Sequence, residues 1–429
     1  MSTQRTRLVV ALGLVTALTL TACGRSDSPA GSGGGATDAE EFSSTDLQGE
    51  IEMWAMGAEG EKLPVLAEAF MAEHPGTTVN VTAIPWDAAY DKFANAITAG
   101  TTPDVAMIGS TWSGDFAAQG ALEPLPESFD TSGFFEGAVG TTLVDDVAYA
   151  VPWYVETRMV YYRTDIAEAA GYPEAPTDWE GFQAMAVAMQ EQPEVDWGLN
   201  LQPGGEGSWQ SVLPLAWSAG AVTDDAEGYQ FDSPEVLQAV EYFQSFFADG
   251  ISDPNPPEGQ TEADFTSGRI PMFISGPWMM SLVEDMGGDG FADTYDVAPI
   301  PSPDGSTSRS FVGGSNLGVF TTTENRDLAW TWVQYLSDPA TQVEWYGQTS
   351  ALPAVQSAWD DPALSDDPKL AAFGVQLETA LAPASYSSWT QVAATFDGEM
   401  EKVAKTDADP AASLATVQQT ADELGTGLD

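Results

Sequence analysis

The sequence has one cysteine, one histidine, and only 13 lysines and arginines set against 65 aspartates and glutamates in 429 residues. A single cysteine excludes any disulfide within the chain. Transition-metal sites are built from His and Cys, so their near absence argues against such a site. His74 falls in His74-Pro75-Gly76, a turn that closes a helical pattern, which excludes a Ser-His-Asp triad unless that turn is itself the site. HExxH, CxxC and phosphate-loop patterns are missing, as is EF-hand spacing. The scarcity of positive charge works against nucleic acid and anionic lipid head groups as partners. It reads as a solvated acidic surface, of the kind that suits a saline surrounding.

Long apolar runs are also scarce. The one at the front follows Arg5 and Arg7 and extends from Leu8 to Leu20. As a helix it would reach roughly 20 Å, short of the ~30 Å of a bilayer core, so it reads as a secretory signal and not a span. It ends in Leu20-Thr21-Ala22-Cys23, which resembles the bacterial lipobox. A lone cysteine is ordinarily a small buried apolar residue. Cys23 instead lies between a signal and a polar linker, where no fold would bury it. Cleavage before Cys23, lipidation of its thiol and residence at the extracellular face of the cell membrane are therefore expected. The processed chain would carry 11 basic and 65 acidic residues, 11 − 65 = −54. Gly24 to Ser44 is rich in Gly, Ser, Ala and Asp and too poor in apolar residues to fold. As a tether it has an r.m.s. reach of roughly 25 Å.

The body from Thr45 to Asp429 has no second apolar run approaching 18 residues and, at 385 residues, suits two domains. Ile51, Met53 and Ala55 alternate as in a strand, and Leu63, Leu66, Phe70 and Met71 follow at helical spacing. Val79, Val81 and Ala83 alternate again, and a helix carries Tyr90, Phe93, Ala94 and Ile97. Asp104 to Ile108 is then a continuous apolar run, suited to a parallel strand buried on both faces. This βαβαβ order predicts an α/β lobe.

Beyond Val155 the pattern predicts a strand over Thr157 to Tyr162 and a short helix over Asp165 to Ala170. Thr177-Asp178-Trp179-Glu180 reads as a capping box with Thr177 as the cap. Ser233-Pro234-Glu235 starts another helix. Strands are expected at Arg269 to Ile274, Tyr295 to Ile300 and Leu317 to Thr321, a helix at Asp327 to Tyr346, and a surface loop at Asp360 to Asp367.

Several phrases then line up in order: Gly100-Thr101-Thr102-Pro103-Asp104-Val105, Gln119-Gly120-Ala121-Leu122-Glu123-Pro124-Leu125, Tyr149-Ala150-Val151-Pro152-Trp153-Tyr154 and Val160-Tyr161-Tyr162-Arg163-Thr164-Asp165. Ala175-Pro176-Thr177-Asp178-Trp179, Phe265 to Met272, Ser275-Gly276-Pro277-Trp278 and Phe311-Val312-Gly313-Gly314-Ser315 follow. Together, over roughly residues 50 to 400, they resemble the family-one extracellular solute-binding proteins, maltose-binding-protein-like sugar-binding lipoproteins of ABC importers. Arg163 departs from the Asn that many relatives carry there. The resemblance implies a two-lobed periplasmic-binding-protein-like α/β fold (type II), with a ligand cleft between lobes joined by hinge strands. It places crossings near Val155, Pro299 and Thr349, giving an N-terminal lobe of 45–155 plus 300–348 and a C-terminal lobe of 156–299 plus 349–429. It also implies a monomer that passes a carbohydrate ligand to ABC permease subunits in the membrane, with no cofactor and no catalysis.

A neutral sugar offers hydroxyl edges and flat C–H faces, so its site is built from Trp and Tyr with a few carboxylates, amides and an Arg. Fourteen tryptophans exceed what core packing asks for, and those in loops beside Gly and Pro are the informative ones. By resemblance, Trp153, Tyr154, Glu156 and Arg158 line the cleft at the first crossing. Arg158 could instead simply pair with a surface carboxylate; the cleft role is preferred, bonding hydroxyls or holding Glu156. Trp278 is similar to the family's stacking tryptophan. Ser110 and Trp112 follow the buried strand at its carboxyl end, where ligands of α/β lobes gather, and Trp86 has a similar position. Trp209 and Trp389 are candidates from the second lobe, while Gly313, Gly314 and Ser315 offer backbone and hydroxyl contacts. Trp179, Trp330, Trp332 and Trp345 read as core; Trp54, on a strand, could face either way.

Two rivals stay open. A glycoside hydrolase could hide a catalytic pair among 65 acidic residues, although nothing singles out two of them. A binding protein for a polyol or peptide would share the same fold.

Overall fold

Apolar segments that alternate with helices at the start of the body pair as parallel strands. A computed structural model describes residues 41–427 apart from positions 145, 206, 226, 227 and 258. The signal, Cys23 and nearly all of the expected tether lie outside the described residues. Strands β1 (Gly49–Met56) and β2 (Thr77–Ile84) pair in parallel from Gly49↔Thr77 to Met56↔Ile84. Strand β3 (Val105–Gly109) joins β1 on its other side, again in parallel, at Met53↔Val105. All five residues of β3 are buried, as its continuous apolar run predicts. Between β1 and β2 the helix Pro64–Glu73 buries Leu66, Ala67 and Phe70. The helix Trp86–Ala99 precedes β3 and ends at Gly100, whose φ of 64° is the left-handed cap that glycine adopts without cost.

Six further strands complete two sheets: β4 (Val151–Thr157), β5 (Met159–Arg163), β6 (Met272–Ser275), β7 (Tyr295–Ala298), β8 (Val312–Val319) and β9 (Leu352–Pro353). The larger sheet has the order β9-β4-β8-β3-β1-β2 and the smaller β6-β5-β7. The strand expected over Thr157 to Tyr162 is thus two strands broken at Arg158. The one expected at Leu317 to Thr321 begins earlier, at Val312, because β8 must pair with both β3 and β4.

One core surrounds the larger sheet and extends to the smaller through Tyr161, Phe273 and Tyr295, with Phe70, Phe93, Trp330, Trp332 and Trp345 at no more than 1% exposure. A second joins the helices Trp179–Gln190, Trp209–Ser218, Pro234–Ala248, Trp389–Thr406 and Pro410–Leu424 through Phe182, Trp217, Phe243, Phe396 and Met400. The cap of the first of these helices is Asp178 and not Thr177. Its carboxylate accepts the Gly181 N–H at 2.8 Å, so the helix starts one residue later than a Thr177 box would place it. Ser233 caps the helix Pro234–Ala248 as expected. The segment expected as a surface loop at 360–367 holds a short helix, Pro362–Ser365, because Leu364 is drawn into the first core.

Three segments of the chain meet where the larger sheet gives way to the smaller. Arg158 alone separates β4 from β5. Its N–H donates to Ser310 Oγ at 3.1 Å, and the Ser310 hydroxyl donates to the Arg158 carbonyl at 2.8 Å. The Ser310 carbonyl in turn accepts the Leu381 N–H at 2.8 Å. Just beyond Thr349, β9 pairs with β4 at Leu352↔Val155, and from Ala384 onward the chain joins the second core. Among the described residues no helix is long and apolar enough to cross a membrane.

Candidate ligand-binding site

Where the two lobes face each other there is a cavity of about 830 Å³, within the size range of about 300–1,000 Å³ that holds small-molecule ligands. The first lobe builds its wall from strand ends. β3 stops at Gly109, and Ser110, Thr111 and Trp112 turn over its carboxyl end, with the Ser110 N–H donating to the Gly314 carbonyl at 3.2 Å. Trp112 stands edge-on to Trp86 at 6.0 Å and to Tyr90 at 5.6 Å. Trp86 opens its helix and is 41% exposed.

Strand β4 settles the first crossing by its period of two. Tyr154 and Glu156 face the cavity, whereas Trp153, Val155 and Thr157 face the core. Trp153 is 1% exposed and stacks on Trp345 at 5.1 Å. The expectation that Trp153 lines the cleft is corrected on this point, because adjacent residues of a strand cannot share a face. Tyr154 is held from behind by Ser315, whose hydroxyl donates to the phenol oxygen at 3.3 Å. Burial, followed by the neighbouring Glu59 and Glu156 carboxylates, pushes the Tyr154 phenol well above its ordinary pKa. Burial likewise raises the Glu59 carboxyl. Gly314 lines the cavity with φ +119°, and a Cβ there would lie 2.1 Å from the Tyr154 carbonyl oxygen, so only glycine fits. Gly313 and Ser315 sit behind the wall; a Cβ on Gly313 would meet Phe311 and Glu156.

Arg158 also stands behind the surface. Its guanidinium lies 4.7 Å from the Trp278 ring and 5.5 Å from the Phe311 ring. Nη1 is 3.1 Å from Glu156 Oε2, an ion pair without hydrogen-bond alignment, and Nη2 donates to the Gln210 side-chain oxygen. The sequence-level alternative, a pairing on the open surface, is overturned: the side chain is only 10% exposed.

The second lobe supplies Trp209 and Gln210 at the start of one helix and Trp389 at the start of another. Trp209 lies edge-on to Phe311 at 4.9 Å and to Trp389 at 5.0 Å. Asp397 fixes this corner: it accepts the Gly207 N–H at 2.7 Å, the Ser208 hydroxyl at 2.8 Å and the Trp209 N–H at 2.8 Å. Trp278 completes the rim at 37% exposure. It folds back on Gly276, where a Cβ would lie 1.9 Å from the ring.

Of the residues singled out in the sequence, Trp86, Ser110, Trp112, Tyr154, Glu156, Trp209, Trp278, Gly314 and Trp389 line this one cavity. Sequence reasoning missed Gln210, Phe311, Thr390, Asp397 and Glu401. Asp397 and Glu401 were within reach, since Asp397 follows Trp389 by eight residues and Glu401 follows Asp397 by four, on one helix face. Among the described residues no group of three or more His, Cys, Asp or Glu side chains is placed to hold a metal ion.

Two α/β lobes with an aromatic, carboxylate-edged cavity at their junction define a solute-binding architecture. The chain belongs to the bacterial extracellular solute-binding protein family, which it matches over residues 55–343. The sugar-binding protein MalE of Xanthomonas citri is 27% identical, with a TM-score of 0.82 over 88% of this chain and 97% of its own. The GacH receptor of Streptomyces glaucescens, known in complex with acarbose, is 25% identical, with a TM-score of 0.75 over 88% and 99%. A galactooligosaccharide-binding protein of Bacillus subtilis is 21% identical over 87% of this chain and 88% of its length.

Proposed function

We propose that this protein is the substrate-binding component of an ABC importer: it captures a mono- or oligosaccharide between its lobes, closes on it and delivers it to membrane permease subunits. The observation that carries the reading is the cavity wall itself. Trp86, Trp112, Tyr154, Trp209, Trp278, Phe311 and Trp389 supply flat apolar faces, and Glu156, Gln210, Asp397 and Glu401 supply polar groups between them. Sugars present that same alternation of C–H faces and hydroxyl edges. Membership of the family and the sugar ligands of its relatives support it. Hinge closure is the motion such two-lobed folds use. At micromolar affinity the site must supply about −8 kcal/mol, which aromatic burial and charge-assisted hydrogen bonds can provide.

The same reading holds the protein to be a lipid-anchored monomer at the outer face of the cell membrane, tethered through Cys23, and a carrier that returns its ligand chemically unchanged. Replacing Cys23 with Ser should release it from the membrane fraction.

Intrinsic tryptophan fluorescence and thermal unfolding, followed across a panel of mono- and oligosaccharides, test the binding role. A saturable spectral change with a raised unfolding temperature for one sugar is expected. A flat response across the panel would overturn the sugar reading and turn the search to peptides and polyols. Product formation from an oligosaccharide would favour a hydrolase instead.

A further inference from the structure

Trp389 lines the cavity, yet much of what fixes it lies behind it. It opens the helix Trp389–Thr406 and is 3% exposed. The residue before a helix commonly turns its side chain onto the N–H groups of the first turn. Ser388 makes no such bond. Its hydroxyl donates instead to the Gly425 carbonyl at 2.6 Å, and with that proton committed its oxygen accepts from the Tyr229 hydroxyl at 3.0 Å. Ser387 repeats the pattern, donating to the Gly427 carbonyl at 2.9 Å. Both acceptors belong to the segment that follows the helix Pro410–Leu424. The fit there is close: Gly427 has φ +73°, and a Cβ on it would lie 2.1 Å from Ser387 Oγ.

The residues just before are held in the same way. The Ser385 hydroxyl donates to the Gly140 carbonyl at 3.0 Å, and the Tyr386 hydroxyl to the Asp225 carbonyl at 2.7 Å. Tyr229 stands edge-on to Tyr386 at 5.1 Å and stacks on Trp389 at 6.3 Å. Every side chain from Ser385 to Ser388 thus donates to a backbone carbonyl elsewhere in the chain. Two of those four anchors come from residues 425–427, which do not line the cavity.

We propose that residues 425–427 are a strap that positions Trp389. They hold the loop that delivers its ring to the cavity wall, and through that ring they support Trp209, which stands edge-on to it at 5.0 Å. The proposal rests on the sugar-binding reading above, because a displaced Trp389 changes affinity only if its ring packs on the solute. Affinity is then set partly by a segment outside the cavity.

The test uses a deletion of residues 426–429, which removes the Gly427 acceptor and leaves Gly425 in place. Ser387→Ala removes the matching donor from the full-length chain, and Ser387→Thr keeps it. Each is prepared with Trp389 present and with Trp389→Phe, and thermal unfolding verifies that each is folded. Acrylamide quenching of tryptophan emission, without sugar, reads the burial of the ring. The deletion and Ser387→Ala should raise quenching where Trp389 is present and leave it unchanged in the Trp389→Phe background. Calorimetric titration with maltotriose should show affinity lowered by about fivefold or more in both variants. Ser387→Thr should restore it, and no further loss should appear where Trp389 is already Phe. Quenching and affinity unchanged by both variants would overturn the strap, as would losses of equal size in the two backgrounds. If neither maltotriose nor any other saccharide of the panel binds the parent protein, the sugar reading fails, and the quenching result alone decides whether the strap positions the ring.

Discussion

The guanidinium of Arg158 lies over the indole of Trp278, 4.7 Å from its centre, and 5.5 Å from the centre of the Phe311 ring. The cation is thereby packed on two rings that both border the cavity. Such contacts contribute about 0.5–2 kcal/mol according to how far the cation is desolvated. Trp278 is more than a rim residue: its ring also packs on the Arg158 guanidinium.

Trp278→Ala should therefore lower saccharide affinity at least tenfold. The thermal midpoint should move little, because the ring is more than a third exposed. Titration calorimetry reads both arms if a melting curve accompanies it. Unchanged affinity would remove Trp278 from the site.

Asp397 makes a different prediction. Its carboxylate accepts three bonds from the loop that delivers Trp209. Asp397→Ala strands those donors, at a cost of about 2 kcal/mol or more in urea unfolding, and should weaken binding by freeing Trp209. Stability equal to that of the parent protein would show that water replaces the carboxylate at this corner.

Trp153 and Tyr154 separate core from cleft. Trp153→Ala should cost about 3–5 kcal/mol of stability, as for any large buried aromatic, whereas Trp153→Phe should fold with near-parental affinity. Tyr154→Ala should weaken binding with a smaller loss of stability. A reversal of these two patterns would mean that β4 presents its other face to the cavity.

The raised Glu59 carboxyl predicts a pH effect of definite sign. Burial disfavours its charged form in the folded state, so the folded protein binds the proton more tightly than the unfolded chain. The penalty is present above the raised folded value and vanishes below the ordinary carboxylate range of about 4.3. Glu59→Gln should thus raise the melting temperature at neutral pH, and the gain should shrink as pH falls into that range. A gain that instead grew on acidification would contradict the assignment.

Much of the fold was legible in the sequence because the signals are local. The apolar run of β3 fits only a doubly covered strand, and Gly100 and the Ser233-Pro234 pair mark helix ends by their own backbone chemistry. The site was legible where a tryptophan sits beside Gly or Pro in a loop, as Trp112, Trp209 and Trp278 do. It was misread at Trp153, although the period of a strand already forbids Trp153 and Tyr154 from sharing a face. Phe311 and Gln210 carry no local mark. They reach the cavity because of how the lobes meet, and the position of Leu381 depends in the same way on a long-range bridge to Phe311.

Ser310 grips Arg158 by both its N–H and its carbonyl, and Leu381 is tied to Ser310 in turn. The three segments are thus knotted on one serine. Loss of its hydroxyl in Ser310→Ala would loosen that knot without removing any side chain that lines the cavity.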